Sequence, residues 1–184
     1  MLKQILTWFS LAVSGTVLLT IVIYLYTHSG TKSIDKTKTV YVSKDENGYT
    51  LYRNGTPFRI QGASGNNYLN TLADIGANTI RIYDSISEAL LDRAHQNNLA
   101  VIIDIPLPKY TRDYNYYENG KNTLQLKDSI KTLVNKYKDH PALLFWNLGN
   151  ELDYPLVLRK NSFINTFNEL IDMIHVEDPD HPVA

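Results

Sequence analysis

The chain has 184 residues, with 18 basic and 19 acidic side chains, a formal net charge of -1 and no cysteine. That excludes a disulfide framework and a thiolate metal site. At 43% apolar and 20% charged residues it is neither a disordered tail nor a basic nucleic-acid binder. The length suits one domain, with or without a short appendage, and is enough to bury a core without staples. The 13 tyrosines are the one unusual count, and tyrosine-rich surfaces suit polar ligands.

Residues 5–26, ILTWFSLAVSGTVLLTIVIYLY, carry no charge and match the roughly 20 residues a helix needs to cross a bilayer. Trp8 stands near one end and Tyr24 and Tyr26 at the other, as aromatic belts do. The expectation is a transmembrane anchor over 1–27. The alternative, a cleaved signal peptide, has an apolar run of only about 7–15 residues and a small-residue cleavage site. Lys3 precedes the segment, and Lys32, Lys36 and Lys38 follow it. Charge counting then puts the C-terminal side in the cytoplasm, against the exported placement that the function below implies. Residues 28–38 are rich in Ser, Thr, Lys and Gly and read as a linker.

Two Asn-Gly pairs follow, Asn47-Gly48 and Asn54-Gly55, each flanked by Val, Tyr, Thr, Phe and Ile. Both residues of such a pair accept positive φ, so the pattern predicts hairpins with strands over 40–43, 49–53 and 57–61. Leu69, Leu72 and Ala73 then fall at helical spacing and stop at Gly76, a C-terminal signal. NTIRIY (78–83) reads as a strand, and Ser85 and Glu88 have capping-box spacing ahead of a helix faced by Ile86, Leu90, Leu91 and Ala94. LAVIIDI (99–105) is apolar enough to be a strand buried on both faces. A tyrosine-rich loop follows over 106–121, then a helix faced by Leu126, Ile130, Leu133, Val134 and Tyr137. ALLFWNL (142–148) is a further buried strand, and Phe163, Phe167, Leu170, Ile171 and Ile174 mark a last helix. HPVA at the end reads as the start of one more strand.

Strand and helix therefore alternate four times after Phe58, which predicts a parallel sheet with helices outside. Four such units are half of an eight-unit (β/α)8 barrel of about 250 residues. The alternative is a complete open four-stranded α/β sheet. No glycine-rich phosphate loop follows any strand.

Ligand groups in parallel α/β folds gather past the C-terminal ends of strands. Those ends carry Ser64; Arg81, Tyr83 and Asp84; Asp104; and Trp146, Asn147, Asn150 and Glu151. A carboxyl group at Glu151, beside Trp146 and partly screened from water, suits proton transfer to and from oxygen. Asn150 offers both a donor and an acceptor to a hydroxyl group. Arg81 reads either as a site residue or as an ion-pair partner of Asp84 or Glu151. Asp104 reads as a ligand contact or a turn residue, and Trp146 as a stacking surface or core. Tyr110, Tyr114, Tyr116 and Tyr117 lie in the third loop, where a ligand subsite is expected. The five histidines (His28, His95, His140, His175 and His181) lack ligand spacing. Asn54-Gly55-Thr56 matches a glycosylation acceptor as well as a turn.

YKDHPALLFWNLGNELD (137–153) resembles the fourth-strand motif of glycoside hydrolases of the large TIM-barrel clan, in particular the family 2 catalytic barrel and its bacterial relatives. LADIGANTIRIYDS (72–85) resembles their second-strand region, and LYRNGTPFRIQGAS (51–64) their entry into the first strand. The similarity runs over about residues 40–184. It implies a TIM barrel present as its first four units, over 39–184. It also implies retaining hydrolysis of O-glycosidic bonds in oligo- or polysaccharides, with no metal or organic cofactor. Glu151 is then the general acid/base and Asn150 contacts the sugar. Arg81 matches the Arg that orients the catalytic carboxylate of the seventh strand. Apart from the resemblance, Asp84, Asp104 and Trp146 are candidate substrate contacts by their places at the strand ends. The nucleophile of such enzymes comes from that seventh strand, which these residues do not include. The partners expected are a carbohydrate and, through residues 5–26, a lipid bilayer, with no nucleic acid. The rival readings are a glucanosyltransferase of the same clan and a non-catalytic glycan-binding membrane protein.

Overall fold

The computed structural model describes residues 20, 38–46, 48–109, 116–152 and 160–184. The chain divides into two compact units, Met1–Asp35 and Lys36–Ala184, and the architecture below is that of the second. Apart from Thr20, the segment 5–26 lies outside the described residues, as does the linker 28–38 apart from Lys38. Among the described residues no helix is long and apolar enough to cross a membrane.

Strand β1 (Val40–Asp45) pairs antiparallel with β2 (Gly48–Arg53), which pairs with the two-residue β3 (Thr56–Pro57). Asn54 and Gly55 make the second turn at φ 51° and 75°, the left-handed pair that a two-residue hairpin requires. At the first Asn-Gly pair the strand starts one residue earlier than expected, at Gly48. Gly48 pairs with Asp45 and so belongs to β2, while Asn47 lies outside the described residues. The strand expected over 57–61 ends at Pro57, and the first parallel strand starts only at Gly62.

That strand, β4 (Gly62–Ser64), opens a second sheet with β5 (Thr79–Ile82), β6 (Ala100–Ile105) and β7 (Leu143–Leu148). All are parallel, in the order β4-β5-β6-β7. Between and after them run α1 (Leu69–Asp74), α2 (Glu88–Gln96), α3 (Gly120–Tyr137) and α4 (Lys160–Glu177), with a 3-10 turn at Tyr116–Glu118 before α3. The four βα units are present as the sequence predicts, and the sheet does not close into a barrel. Gly62 is required at its edge, because a Cβ there would lie 1.7 Å from the Thr79 carbonyl oxygen.

The helices begin where side chains satisfy their free N–H groups. Ser87 caps α2 by accepting from the Leu90 N–H at 3.3 Å. The expected Ser85–Glu88 capping box does not form. Ser85 stands outside the helix at φ 54°, and Glu88 is already the first helical residue. Asn119 caps α3, accepting from the N–H groups of Lys121 and Asn122.

All six residues of β6 are buried, because each face of the sheet is covered. Ile80, Ile82, Val101, Ile103, Ile105, Leu143, Trp146 and Leu148 pack with helix residues such as Leu91, Ile130, Val134, Leu170 and Ile174. On the opposite, inner face, Ala100, Ile102 and Leu144 pack with Val40, Leu51, Phe58 and Phe145. The hairpin therefore covers the inner face at the N-terminal ends of the strands. Arg53 ties it there by donating from Nη2 to the Pro141 carbonyl at 2.7 Å.

The chain end starts a further strand beside β7, as HPVA suggests. Val183 bridges Trp146 in parallel, Ala184 N–H donates to the Trp146 carbonyl and Leu148 N–H to the Ala184 carbonyl, both at 2.8 Å. Asp178 anchors this return. Its carboxylate accepts from Trp146 Nε1 at 2.7 Å and from His181 Nδ1 at 3.0 Å.

Candidate functional site

Strand alternation sorts the side chains at the C-terminal end of the sheet. Arg81 is flanked by the buried Ile80 and Ile82, and Asp104 by Ile103 and Ile105, all of which pack toward the helices. Register sets Asp104 beside Asn147 on the neighbouring strand. The Arg81 guanidinium forks onto Asp104, with Nε donating to Oδ1 and Nη2 to Oδ2, each at 2.7 Å. Nη2 also donates to Asn150 Oδ1 at 3.0 Å. Such bidentate, charge-assisted bonds fix orientation as well as energy. The bond to Asp104 raises the Arg81 guanidinium above its ordinary range, outweighing the desolvation that would lower it. The guanidinium carbon lies 4.7 Å from the centre of the Tyr83 ring, and Tyr83 Oη is 3.1 Å from Ser64 Oγ. One network thus crosses the ends of all four parallel strands.

The loop after β7 supplies the remaining groups. Gly149 takes φ 84° and Glu151 φ 49°. The Gly149 N–H donates to the Ile105 carbonyl at 2.8 Å, which holds the loop to β6. The Glu151 side chain is 79% exposed, with Oε2 3.7 Å from Lys109 Nζ. Lys109 follows Pro108, whose carbonyl accepts from the Tyr117 hydroxyl at 2.5 Å. Arg81 also lines a cavity of about 200 Å³ with Ile60, Ala63, Ser64 and Ile102. That is below the roughly 300–1,000 Å³ of ordinary ligand sites, so it accommodates part of a ligand.

The structure brings together Arg81, Asp104 and Asn150, with Glu151 next in the chain. It leaves out the others. Asp104 is 3% exposed at its side chain and spends both oxygens on Arg81, so it orients Arg81 rather than contacting substrate. The ion-pair partner of Arg81 is neither Asp84 nor Glu151. Asp84 is exposed beyond β5, outside the network. Trp146 is 0% exposed, faces the helices and bonds Asp178, so it offers no face to a sugar. For the same reason it does not screen Glu151. Tyr117 is buried edge-on against Phe163 at 4.9 Å, and burial pushes its hydroxyl well above the usual range. Tyr116 packs against the same core. Tyr117 therefore offers no face to a ligand, Tyr116 is half-buried, and Tyr110 and Tyr114 lie outside the described residues. Of the histidines, His140 accepts from the Ala142 N–H at 3.1 Å and His181 pairs with Asp178, both structural roles. Among the described residues no cluster of three or more His, Asp, Glu or Cys side chains is placed to hold a metal ion.

Sequence reasoning placed Ser64, Tyr83 and Asn147 at the strand ends but did not link Tyr83 to Ser64 or Asn147 to the Gly149 carbonyl, and it did not single out Lys109. Tyr83 had a signal, since a residue two places after Arg81 on one strand shares its face. Lys109 had none.

No family model matches the sequence. The chain is 26% identical over 124 residues to a beta-glucuronidase of Paenibacillus borealis, an alignment covering 62% of this chain and 20% of that protein. The fold matches the beta-glucuronidase of Bifidobacterium dentium, solved with coumarin-3-O-glucuronide, with a TM-score of 0.63 at 22% identity. That match covers 80% of this chain and 26% of the other. It also matches the endo-beta-1,4-mannanase of Thermotoga petrophila, with a TM-score of 0.59 at 18% identity over 71% of this chain and 43% of the other. The chain thus spans about a fifth to two-fifths of the length of these proteins. The chain is thus similar in sequence to part of a beta-glucuronidase, and in fold to part of each of these glycoside hydrolases.

Proposed function

We propose that the chain carries part of the active site of a retaining glycoside hydrolase acting on O-glycosidic bonds of oligo- or polysaccharides. Glu151 protonates the leaving oxygen while a second carboxylate attacks the sugar, and then takes the proton of the incoming water. Asn150 contacts a sugar hydroxyl. Its Oδ1 is engaged by Arg81, so its amide N–H groups remain to donate. Arg81 holds Asn150 in place and keeps its own charge at the strand ends. Retention needs the second carboxylate about 5–5.5 Å from the first, and no residue of this chain is assigned that role.

The observation that carries the reading is an Asn-Glu pair directly after the fourth parallel strand, with the Asn bonded to an Arg that Asp104 fixes. At 79% exposure the Glu151 side chain is reachable by a polymer, but it lacks the screening from water that the acid role calls for. The test is hydrolysis of aryl glycosides by the full chain, glucuronides and mannosides first, beside a Glu151→Gln control. Turnover that disappears in the control supports the reading. A folded sample that shows neither turnover nor saccharide binding sinks it. A non-catalytic glycan-binding role is the second reading, favoured by the Lys109–Glu151 pair where a second carboxylate would be wanted. It predicts saccharide binding that survives Glu151→Gln.

The uncharged segment 5–26 further supports a membrane anchor, and a polysaccharide substrate calls for residues 39–184 outside the cytoplasm, against the count of flanking lysines. Resistance to alkaline carbonate extraction, with protease access to the C-terminal unit in intact cells, tests that placement. Release by carbonate refutes it.

A further inference from the structure

Roles for Arg81, Asp104, Asn150 and Glu151 leave open how the short segment from β7 to Glu151 keeps its shape. Gly149 and Glu151 are both left-handed, at φ 84° and 49°. For Glu151, which has a side chain, that backbone is disfavoured and persists only where the surroundings impose it. Three attachments surround it. The Gly149 N–H bonds the Ile105 carbonyl, Asn150 Oδ1 accepts from Arg81, and Asn147 Nδ2 donates to the Gly149 carbonyl at 2.7 Å. In addition, the Leu152 side chain fills the space that a Cβ on Gly149 would enter.

We infer that Asn147 is a positioning residue for the Asn150–Glu151 pair. Through the Gly149 carbonyl it fixes the peptide plane from which Asn150 reaches Arg81 and Glu151 leaves the sheet. Its place explains why it works. Asn147 is in register with Asp104 on the adjacent strand, so two neighbours at one level hold the two ends of the arrangement. Asp104 sets Arg81, and through it the Asn150 side chain. Asn147 sets the backbone two residues on. Its chemistry is also specific. The position needs a donor of this length, and aspartate of the same size would set an acceptor against the Gly149 carbonyl. The role of Glu151 as acid/base rests on the proposed function, whereas the hold on the loop does not.

The test follows three resonances by NMR in the full chain held in detergent micelles. They are the Asn150 side-chain amide, the Glu151 backbone amide and the Arg81 Nε–H. In Asn147→Asp the first two shift toward the positions of a solvent-averaged loop, while the Arg81 resonance, fixed by Asp104, keeps its place. Should that variant fail to fold, Asn147→Ser removes the long donor without adding charge and is expected to shift the same two resonances. Unmoved Asn150 and Glu151 signals in a folded variant overturn the inference. So does an Arg81 signal that moves with them, because the whole strand end would then have collapsed. An unaltered chain that neither turns over nor binds a glycoside overturns the proposed function and leaves this outcome readable.

Discussion

Replacing Asp178 with alanine asks whether one buried carboxylate ties the end of α4 to β7. Asp178 is 1% exposed and accepts from Trp146 Nε1 at 2.7 Å and His181 Nδ1 at 3.0 Å. It also accepts from the backbone N–H groups of Asp180 and His181, at 3.1 and 3.2 Å. Alanine leaves all four donors without this acceptor. Asp180 is exposed, and its N–H turns to water. Trp146 at 0% and His181 at 7% cannot do so without opening the core. A buried donor left unpaired costs about 1–3 kcal/mol, so the two side chains together set the loss at about 4 kcal/mol. That is about a quarter or more of the roughly 5–15 kcal/mol typical of a domain. Urea unfolding followed by circular dichroism should show a lower midpoint at unchanged slope. There is a pH arm to the same experiment. Burial drives the Asp178 carboxyl upward, but the bonds from His181 and Trp146 prevail and hold it below the usual range. A folded value below the unfolded one, about 3.9, stabilises the fold above about pH 4. That contribution is lost as pH falls through the lowered value. Asp178→Asn should remove this part of the acid transition. A cost below about 1 kcal/mol for alanine, or an acid transition unchanged by asparagine, refutes the reasoning.

Gly62→Ala should unpair β4 from β5 at a cost of about 2 kcal/mol or more, because the new Cβ meets backbone at 1.7 Å. Hydrogen exchange at the amides of residues 79–81 reads the loss. Ser87→Ala should cost about 1 kcal/mol in thermal unfolding by removing the cap of α2. Ser85→Gly should cost nothing, since Ser85 already stands at φ 54°. Gly149→Ala should cost about 1–3 kcal/mol through its left-handed backbone and its contact of 2.4 Å with Leu152 Cδ1. The Leu152→Ala double variant should cost less than the sum in urea unfolding, which an additive pair would contradict.

What was legible in the sequence was whatever local chemistry decides. LAVIIDI has no polar residue before Asp104, and all six residues of β6 are buried. Asn54-Gly55 turns the chain where it should, and Gly76 closes α1 at φ 90°. The misreadings share a cause in geometry between elements. Ser85 has the right spacing to Glu88, but spacing does not reveal that Ser85 is left-handed and that Ser87 carries the cap. Three acids stand near Arg81 in sequence order or by strand ends. Only the parallel register of β5 and β6 selects Asp104 over Asp84 and Glu151. Trp146 was a different case, because its signal was present. Alternation with a polar inward Asn147 sends Trp146 toward the helices. A register shift between Val101 and Ile102 in the pairing with β7 blurs that count near the start of the strand.

The inner face of the parallel sheet divides along β6 between Ile102 and Asp104, two residues apart. Below that line Ala100, Ile102, Leu144 and Phe145 pack with Val40, Leu51 and Phe58, so the hairpin keeps water from the N-terminal ends of the strands. Above it stand Asp104, Arg81 and Asn150. An ion pair resting on an apolar floor is screened less than one in open water, so its bonds hold direction more firmly. Its charges cancel locally, and at the rim the exposed Glu151 pairs with the half-buried Lys109. The hairpin is thus part of the site although it touches none of its polar atoms. Loosening it, for example with Val40→Ala at a residue 1% exposed, should let water reach Asp104 and weaken the Arg81–Asn150 bond before the helix layer is affected. Hydrogen exchange that rises at α2 and α3 before any change at Arg81 would contradict this order.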